Sequence, residues 1–405
     1  MSIRKRGDGA YQVRTYIVLA NGKERYEYTT VYGTEEEAKL VDAKLKVKYG
    51  RGARVPGNPT VEEFFNRWLE DYIKPPFKRP KTYQNYEMHT RLRIIPGLGS
   101  STKLKRVTPG MIQRMYRNMR DGRVGRIKPG HDPEPLSDRT IHGCHRVLRT
   151  GLQQAVDEGI IDENPALKVK PPQLEKYKPV MYTPEQLEQF LMTAQNHRLY
   201  ALFNMAAFTG LRLGEDLGLT WSDFDEETKT VRVCRIVQSI SKRVAEELGS
   251  DTVYLAEYAK SDDSLRYVLL IDRTVEALKQ HRIRQHKERL KQGNKYKNQG
   301  LIFATRRGGL LGPRYVNRLT KQICAKAGLP PIRFHDLRHT HFQMLANAGI
   351  GARDMADRAG HSDPGFTMRT YTHPMPTAQQ KSVDVLNEQF PGTPRRRNYR
   401  KLKRV

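Results

Sequence analysis

The sequence predicts a multidomain α+β protein. A small three-stranded sheet plus one helix comes first, an all-α domain follows, and a mainly α domain with a small antiparallel sheet comes last. Three observations predict this. At 405 residues the chain exceeds one ordinary core, which points to two or three domains. Alternating β-formers fill the first 33 residues, and helical patterns fill most of the remainder. Two joints rich in Pro and Gly or Lys, "GRGARVPGNP" (50–59) and "NPALKVKPPQLEKYKP" (164–179), break the pattern. The domains are therefore placed at 1–55, 58–172 and 176–390, with a basic tail at 391–405.

Each element has a local reason. "GAYQVRTYIVL" and "KERYEYTTVYG" alternate β-formers with polar residues, and "ANGK" between them carries the Asn-Gly signal of a tight hairpin. "TEEEAKLVDAKLKVKYG" reads as a helix, with Thr34 as cap, acids in its first turn and lysines in its last. A sheet this small has one open face, of a kind that fits a DNA major groove; the competing reading is a solvated accessory domain. Thr60 and Glu63 open "TVEEFFNRWLEDYI" as a capping box. "KTYQNYEMHTRLRII", "TPGMIQRMYRNMRDG" and "SDRTIHGCHRVLRTGLQQAVDEG" complete a four-helix block, either a plain bundle or a clamp over a duplex backbone. "TPEQLEQFLMTAQ" opens the last domain with another capping box. Strands are expected at "TVRVCRIVQSI", "DTVYLAEYA" and "RYVLLI", and the rest to about 390 reads as mostly helical.

Composition narrows the function. Lys plus Arg number 72 against 44 Asp plus Glu, a formal net charge of +28, which points to a polyanionic partner, DNA or RNA. No apolar run reaches the roughly 20 residues that span a bilayer, and no basic amphipathic anchor stands out, so no membrane partner is expected. "MSIRKRGDGAYQVR" lacks an apolar core and is not expected to be a signal peptide. Cys144, Cys234 and Cys324 lie far apart and read as reduced thiols of a cytosolic protein. The tail carries Arg395, Arg396, Arg397, Arg400, Lys401, Lys403 and Arg404 with no acid, a pattern that binds phosphates nonspecifically.

Four segments carry groups capable of chemistry. "TGLRLGEDLGLTW" (209–221) puts Arg212 at the start of a helix with Glu215 three residues on. "YAKSDDSLRYVLL" (258–270) reads as a hairpin with Lys260 near its tip. "FHDLRHTHFQML" (334–345) sets His335 and Arg338 on one helical face, and "AGHSDPGFTMRTYTH" (359–373) carries His361 and Tyr371. Taken singly, these are ordinary surface charges and a helix end. His335 and His339 have the four-residue spacing of a zinc pair, with His341 nearby. No acidic or Cys third ligand stands at a persuasive spacing, and Arg338 on the same face would repel a dication, so no metal is expected.

Jointly and in this order, the segments resemble the tyrosine recombinase (phage integrase) family. Its pattern R…K…H-x-x-R…H…Y is filled by Arg212, Lys260, His335, Arg338, His361 and Tyr371, within "TGLRLGE", "HDLRHT" and "GHSDPGFTMRTYTH". Ala359 and Asp216 depart from commoner family residues, and neither replaces a catalytic group. The resemblance implies an arm-site-binding domain at 1–55, a core-binding domain at 58–172 and a catalytic domain at 176–390. It further implies a bacterial cytoplasmic, nucleoid-associated enzyme that works without cofactor as a homotetramer on double-stranded DNA core and arm sites. A DNA-bending host factor and an excisionase are implied partners. Arg4, Arg6, Arg14, Lys23 and Arg25 are the candidate DNA contacts of the first domain.

The chemistry suits those roles. A phosphodiester gains charge as it becomes five-coordinate, and two guanidiniums hold its oxygens while keeping their charge at any working pH. Tyrosine, with a free pKa of about 10, needs such a positive pocket to act as nucleophile. His335 is the better proton acceptor, and Lys260 would protonate the departing 5′ oxygen. A 3′-phosphotyrosyl link stores the bond energy, so a 5′ hydroxyl can reseal the strand without ATP or metal. Two alternatives stay open: a catalytically silent architectural DNA-binding protein, and a type IB-like topoisomerase.

Overall fold

The computed structural model describes residues 3–7, 9–18, 24–49, 57–124, 134–174, 179–257, 265–360, 365 and 387–389. In chain order it begins with β1 (Ile3–Gly7), β2 (Ala10–Val18), β3 (Glu24–Tyr32) and α1 (Glu35–Tyr49). Helices α2 (Val61–Trp68), α3 (Pro80–His89), α4 (Ile95–Leu98), α5 (Pro109–Arg120) and α6 (Asp138–Asp157) follow. Next are α7 (Pro184–Ala194), α8 (Tyr200–Thr209), α9 (Leu213–Gly218), β4 (Phe224–Asp225), β5 (Thr230–Val233), β6 (Arg235–Ser239), α10 (Lys242–Leu248) and β7 (Val253–Glu257). Then come β8 (Arg266–Leu269), α11 (Asp272–Gln292), α12 (Pro313–Lys326), α13 (Phe334–Asn347) and α14 (Ala352–Ala359). Two compact units divide the chain: 1–178 with 235–262 and 310–313, and 179–234 with 263–309 and 314–405.

In the first unit, β1, β2 and β3 form an antiparallel sheet in that order. Val13 and Val31 face α1 and bury against Ala38, Val41 and Leu45, with Phe77 joining the cluster. Thr34 caps α1 as its sequence predicts, accepting from Glu37 N at 3.2 Å while its own N–H donates to Glu37 Oε2 at 2.6 Å. The helical part has a separate core around Phe64, Phe65 and Trp68 of α2. Gly151 of α6 makes that packing possible, since a Cβ there would lie 2.4 Å from Phe65 Cε1. The capping box of Thr60 and Glu63 forms as expected.

The expected strand "TVRVCRIVQSI" is interrupted at Cys234. Its first part, β5, pairs with β4 and β8, whereas its second part, β6, pairs with β7 in a sheet of its own. Between β6 and β7 lies α10, a helix the alternation pattern concealed; Ser241 caps it and Gly249 ends it at φ +62°. Its apolar side sends Val244 and Ala245, together with Ile240, into the helical core of the first unit. Lys81 Nζ donates to Ser239 O at 3.0 Å, and Arg243 pairs with Glu87. The hairpin expected around Lys260 is corrected accordingly. The strand before that segment, β7, pairs with β6, and the strand after it, β8, pairs with β5, so the two belong to different sheets and do not close one hairpin.

The second unit is built around α8, which is apolar on all sides and correspondingly buried. Phe203 of α8 packs on Phe190 of α7, with ring centroids 5.4 Å apart, and on Phe334 of α13 at 5.8 Å. These contacts fix the first half of α8 against α7 and the start of α13. Cys144 and Cys324 are buried, Cys234 is half-buried, and all three are free thiols.

Candidate active site

The site begins where α8 ends. Gly210 closes that helix at φ +67°, and a Cβ there would lie 2.6 Å from His341 Cδ2 and 2.9 Å from Phe342 Cε2. Only glycine therefore lets α13 pass this turn. The close approach brings Gly210 O within 2.6 Å of Arg338 Nη1. Two residues on, Arg212 stands at the N-terminal cap of α9, and its backbone N–H donates to Glu215 Oε2 at 2.8 Å. Its guanidinium Nη1 meets Glu215 Oε1 at 2.9 Å.

Both arginines then converge on the end of α14. Arg338 Nη2 donates to Ala359 O at 2.9 Å, and Arg212 Nη2 donates to Gly360 O at 3.2 Å. The side chain of Arg212 is 36% exposed, whereas Arg338 is 2% exposed, so Arg212 is the member that meets solvent. Arg338 also lies 5.1 Å from the centroid of the Phe342 ring.

The carboxylates below them behave oppositely. Burial alone would raise the pKa of Glu215, but Arg266 and then Arg212 hold it down to about 2. Arg266 donates to both Glu215 oxygens, at 3.2 and 2.9 Å, and its Nε donates to Arg358 O at 3.0 Å. Asp216, next to Glu215, is fully buried, and among the described residues neither of its carboxyl oxygens has a hydrogen-bond partner. Burial, and then the charge of Glu215, push its pKa well above the ordinary 3.8.

On α13, His335 sits at the surface with its ring edge-on to His339, centroids 5.0 Å apart. Its partial enclosure, and then His339, Arg338 and Arg333, hold its pKa below the ordinary histidine value. The imidazole is therefore neutral at neutral pH. His341 turns the other way and is buried: Arg358 Nε donates to its Nε2 at 3.2 Å, which leaves Nδ1–H to donate to Ala207 O at 3.1 Å. Among the described residues, no three His, Cys, Asp or Glu side chains gather as a metal would need.

The structure thus brings Arg212, Glu215 and Arg338 together and places His335 on the same helix as Arg338. Lys260, His361, Tyr371 and Lys23 lie outside the described residues. Sequence reasoning passed over Arg266 and Arg358, and weighed His341 only as a neighbour of a zinc pair. Arg266 and His341 lie inside the segments 258–270 and 334–345, and Arg358 three residues before His361, but their partners are remote in the chain, so spacing gave them no role.

A second surface lies on the N-terminal sheet. Register and side-chain alternation put Arg4, Gln12, Arg14 and Tyr28 on the face opposite α1, with Arg14 directly across from Tyr28. Arg4, Arg6 and Arg14 are exposed, Tyr28 is 59% exposed, and the Arg14 guanidinium stands 4.6 Å from the centroid of the Tyr26 ring. The backbone at Arg25 lies opposite Ile17 in the same ladder. Alternation marks the tyrosines only as β-formers, yet Tyr26 and Tyr28 form part of this face. In the helical part, a groove of about 860 Å³ runs between α3 and α6, lined by Arg93, Arg139, Arg146 and Arg149 among others. No helix of the described residues is long and apolar enough to cross a membrane.

Comparison with known proteins bears on this arrangement. The phage integrase family model matches residues 181–377, and the phage integrase N-terminal SAM-like domain model matches residues 60–119. A tyrosine recombinase XerC-like protein of Caldanaerobacter subterraneus is 30% identical over 398 residues, covering 92% of this chain and 98% of its own. The chain belongs to the phage integrase family of tyrosine recombinases. The ICEBs1 integrase of Bacillus subtilis is 25% identical, over 96% of this chain and all of its own. Among solved structures, the Tn1549 transposon integrase in complex with a circular intermediate DNA shares the fold, with a TM-score of 0.63 at 20% identity over 81% of this chain and 99% of that one. A lambda integrase tetramer bound to a Holliday junction does so with a TM-score of 0.53 at 18% identity, over 92% of this chain and 95% of that one.

Proposed function

We propose that this family member is the site-specific DNA recombinase of a phage or integrative mobile element, joining and excising DNA through a 3′-phosphotyrosyl intermediate. The observation that carries this reading is the convergence of Arg212 and Arg338 on consecutive carbonyls at the end of α14, one residue before His361 in sequence. A scissile phosphate offers the same kind of acceptor oxygens, with a full negative charge added, and would compete for these guanidiniums. Glu215 orients Arg212 by a fork of two contacts while leaving part of its side chain toward solvent.

The remaining roles follow from residue chemistry. Tyr371 is the nucleophile, neutral His335 accepts its proton, Lys260 protonates the leaving 5′ oxygen, and His361 adds a donor to the phosphate. The open sheet face of Arg4, Arg6, Arg14 and the exposed tyrosines would bind arm-type sites, and Lys23 and Arg25 are further proposed DNA contacts. The groove between α3 and α6 would follow core-site DNA. The working form is a homotetramer on two duplexes in the bacterial cytoplasm, at the nucleoid, with a DNA-bending factor and an excisionase as partners. The proposed domains remain 1–55, 58–172, 176–390 and a basic tail at 391–405.

The experiment is a two-plasmid assay in which each plasmid carries one candidate attachment region, without metal or ATP. Joint molecules formed by wild-type protein and lost in Tyr371→Phe support the recombinase reading. Relaxation without exchange supports a topoisomerase, and binding without either product an architectural protein.

A further inference from the structure

Arg266 makes a fork with a carboxylate that is itself out of water. Glu215 is fully buried, and its two oxygens are shared between Arg212 and Arg266. The third arm of the Arg266 guanidinium, Nε, reaches Arg358 O on α14. Its side chain is 8% exposed, and it occupies the space a Cβ at Gly360 would need, Nη1 lying 2.7 Å from that position. A single planar group therefore ties β8, α9 and the end of α14.

We propose that Arg266 is a positioning residue for DNA strand cleavage, holding Glu215 so that Arg212 is aimed at the phosphate and fixing the chain at Gly360 that leads to His361. The inference rests on the recombinase reading. With Arg266 in place, one buried negative charge faces two guanidiniums, and Arg212 keeps charge for a third party. Without it, Glu215 would draw Arg212 inward or take up a proton, and either change withdraws Arg212 from the phosphate. Lysine at this position would keep the charge but not the three-armed geometry. Among the described residues, Arg212 and Asp216 from α9 and Arg266 from β8 face Glu215; Arg338 from α13 acts on Asp216, and Arg358 from α14 is reached through Arg266.

The test is single-turnover cleavage of a nicked duplex carrying the site that wild-type full-length protein cuts, measured for Arg266→Met, Arg266→Lys, Glu215→Gln and the Arg266→Met/Glu215→Gln double variant. DNA affinity and thermal unfolding are recorded alongside. We expect Arg266→Met to cut about 10²-fold more slowly, the scale of a small misplacement of a reacting group, with DNA affinity unchanged. The acid limb of its pH–rate profile should move to higher pH, Arg266→Lys should return that limb but not the full rate, and the double variant should lose little beyond either single one. Wild-type cleavage with an unaltered rate in Arg266→Met overturns the inference alone. So does a loss in step with unfolding, with no displaced limb and losses that add in the double variant. Absence of any wild-type cleavage overturns the recombinase reading and this inference with it.

Discussion

Arg212 and Arg338 donate to adjacent carbonyls, Gly360 O at 3.2 Å and Ala359 O at 2.9 Å, although they reach that point from different helices. The relationship separates their roles. Arg212, the more exposed, is free to change without emptying the core. Arg212→Ala should therefore fold and bind DNA while losing about 10²–10³ in cleavage rate, the cost of one preorganised donor. Rates on a nicked substrate check this, and near-wild-type cleavage would remove Arg212 from the chemistry.

Gly210 should tolerate no side chain. Its left-handed backbone alone costs a non-glycine residue roughly 1–2 kcal/mol, and the Cβ would press on His341 and Phe342. Gly210→Ala is expected to lower the unfolding temperature and to weaken cleavage at the same time, because Gly210 O also holds Arg338. Differential scanning fluorimetry with the cleavage assay reads both.

Asp216 is a cost at neutral pH. Its pKa is higher in the folded than in the unfolded chain, so its contribution to stability is full below the ordinary 3.8 and declines as pH rises. Asp216→Leu removes two buried oxygens that have no hydrogen-bond partner among the described residues and should stabilise the protein by about 1–3 kcal/mol at pH 7, less at low pH. Denaturant unfolding at the two pH values tests the sign.

Glu215 has the opposite sign. Its folded pKa of about 2 lies below the ordinary 4.5, so its contribution is present above 4.5 and disappears as pH falls toward 2. The stability gap between wild type and Glu215→Gln should accordingly narrow across that window. Unfolding midpoints measured through the window would refute the arrangement if the gap widened instead.

Arg14 and Tyr28 should divide the work of the sheet face. If Arg14 meets a phosphate, Arg14→Ala lowers the salt slope of arm-site binding by about one; if it meets a base, sequence preference relaxes instead. Tyr28→Ala should weaken binding to the arm site while leaving core-site affinity unchanged. Fluorescence anisotropy over a salt series distinguishes these outcomes.

What could be read in the sequence was local. The Thr34, Thr60 and Thr183 caps lie three residues from their partners, and so does Arg212 from Glu215, hence spacing alone revealed them. The alternation of β-formers with polar residues in "GAYQVRTYIVL" and "KERYEYTTVYG" likewise foretold the strands, whereas which side chains share the open face came from the register. Contacts set by tertiary packing stayed hidden. Arg266 meets Glu215 across 51 positions, and α10 is helical in a stretch flanked by strands because Val244 and Ala245 gain a core to enter. The break at Cys234 followed from pairing partners that alternation does not specify.

The most direct measurement is identification of the DNA-linked residue. Wild-type protein would be incubated with a nicked attachment-site duplex, quenched in SDS, and digested with nuclease and protease for mass spectrometry. The account predicts a nucleotide attached through its 3′ phosphate to Tyr371, among the 20 tyrosines of the chain, and no adduct in Tyr371→Phe. An adduct on another residue, or one that survives Tyr371→Phe, would contradict it.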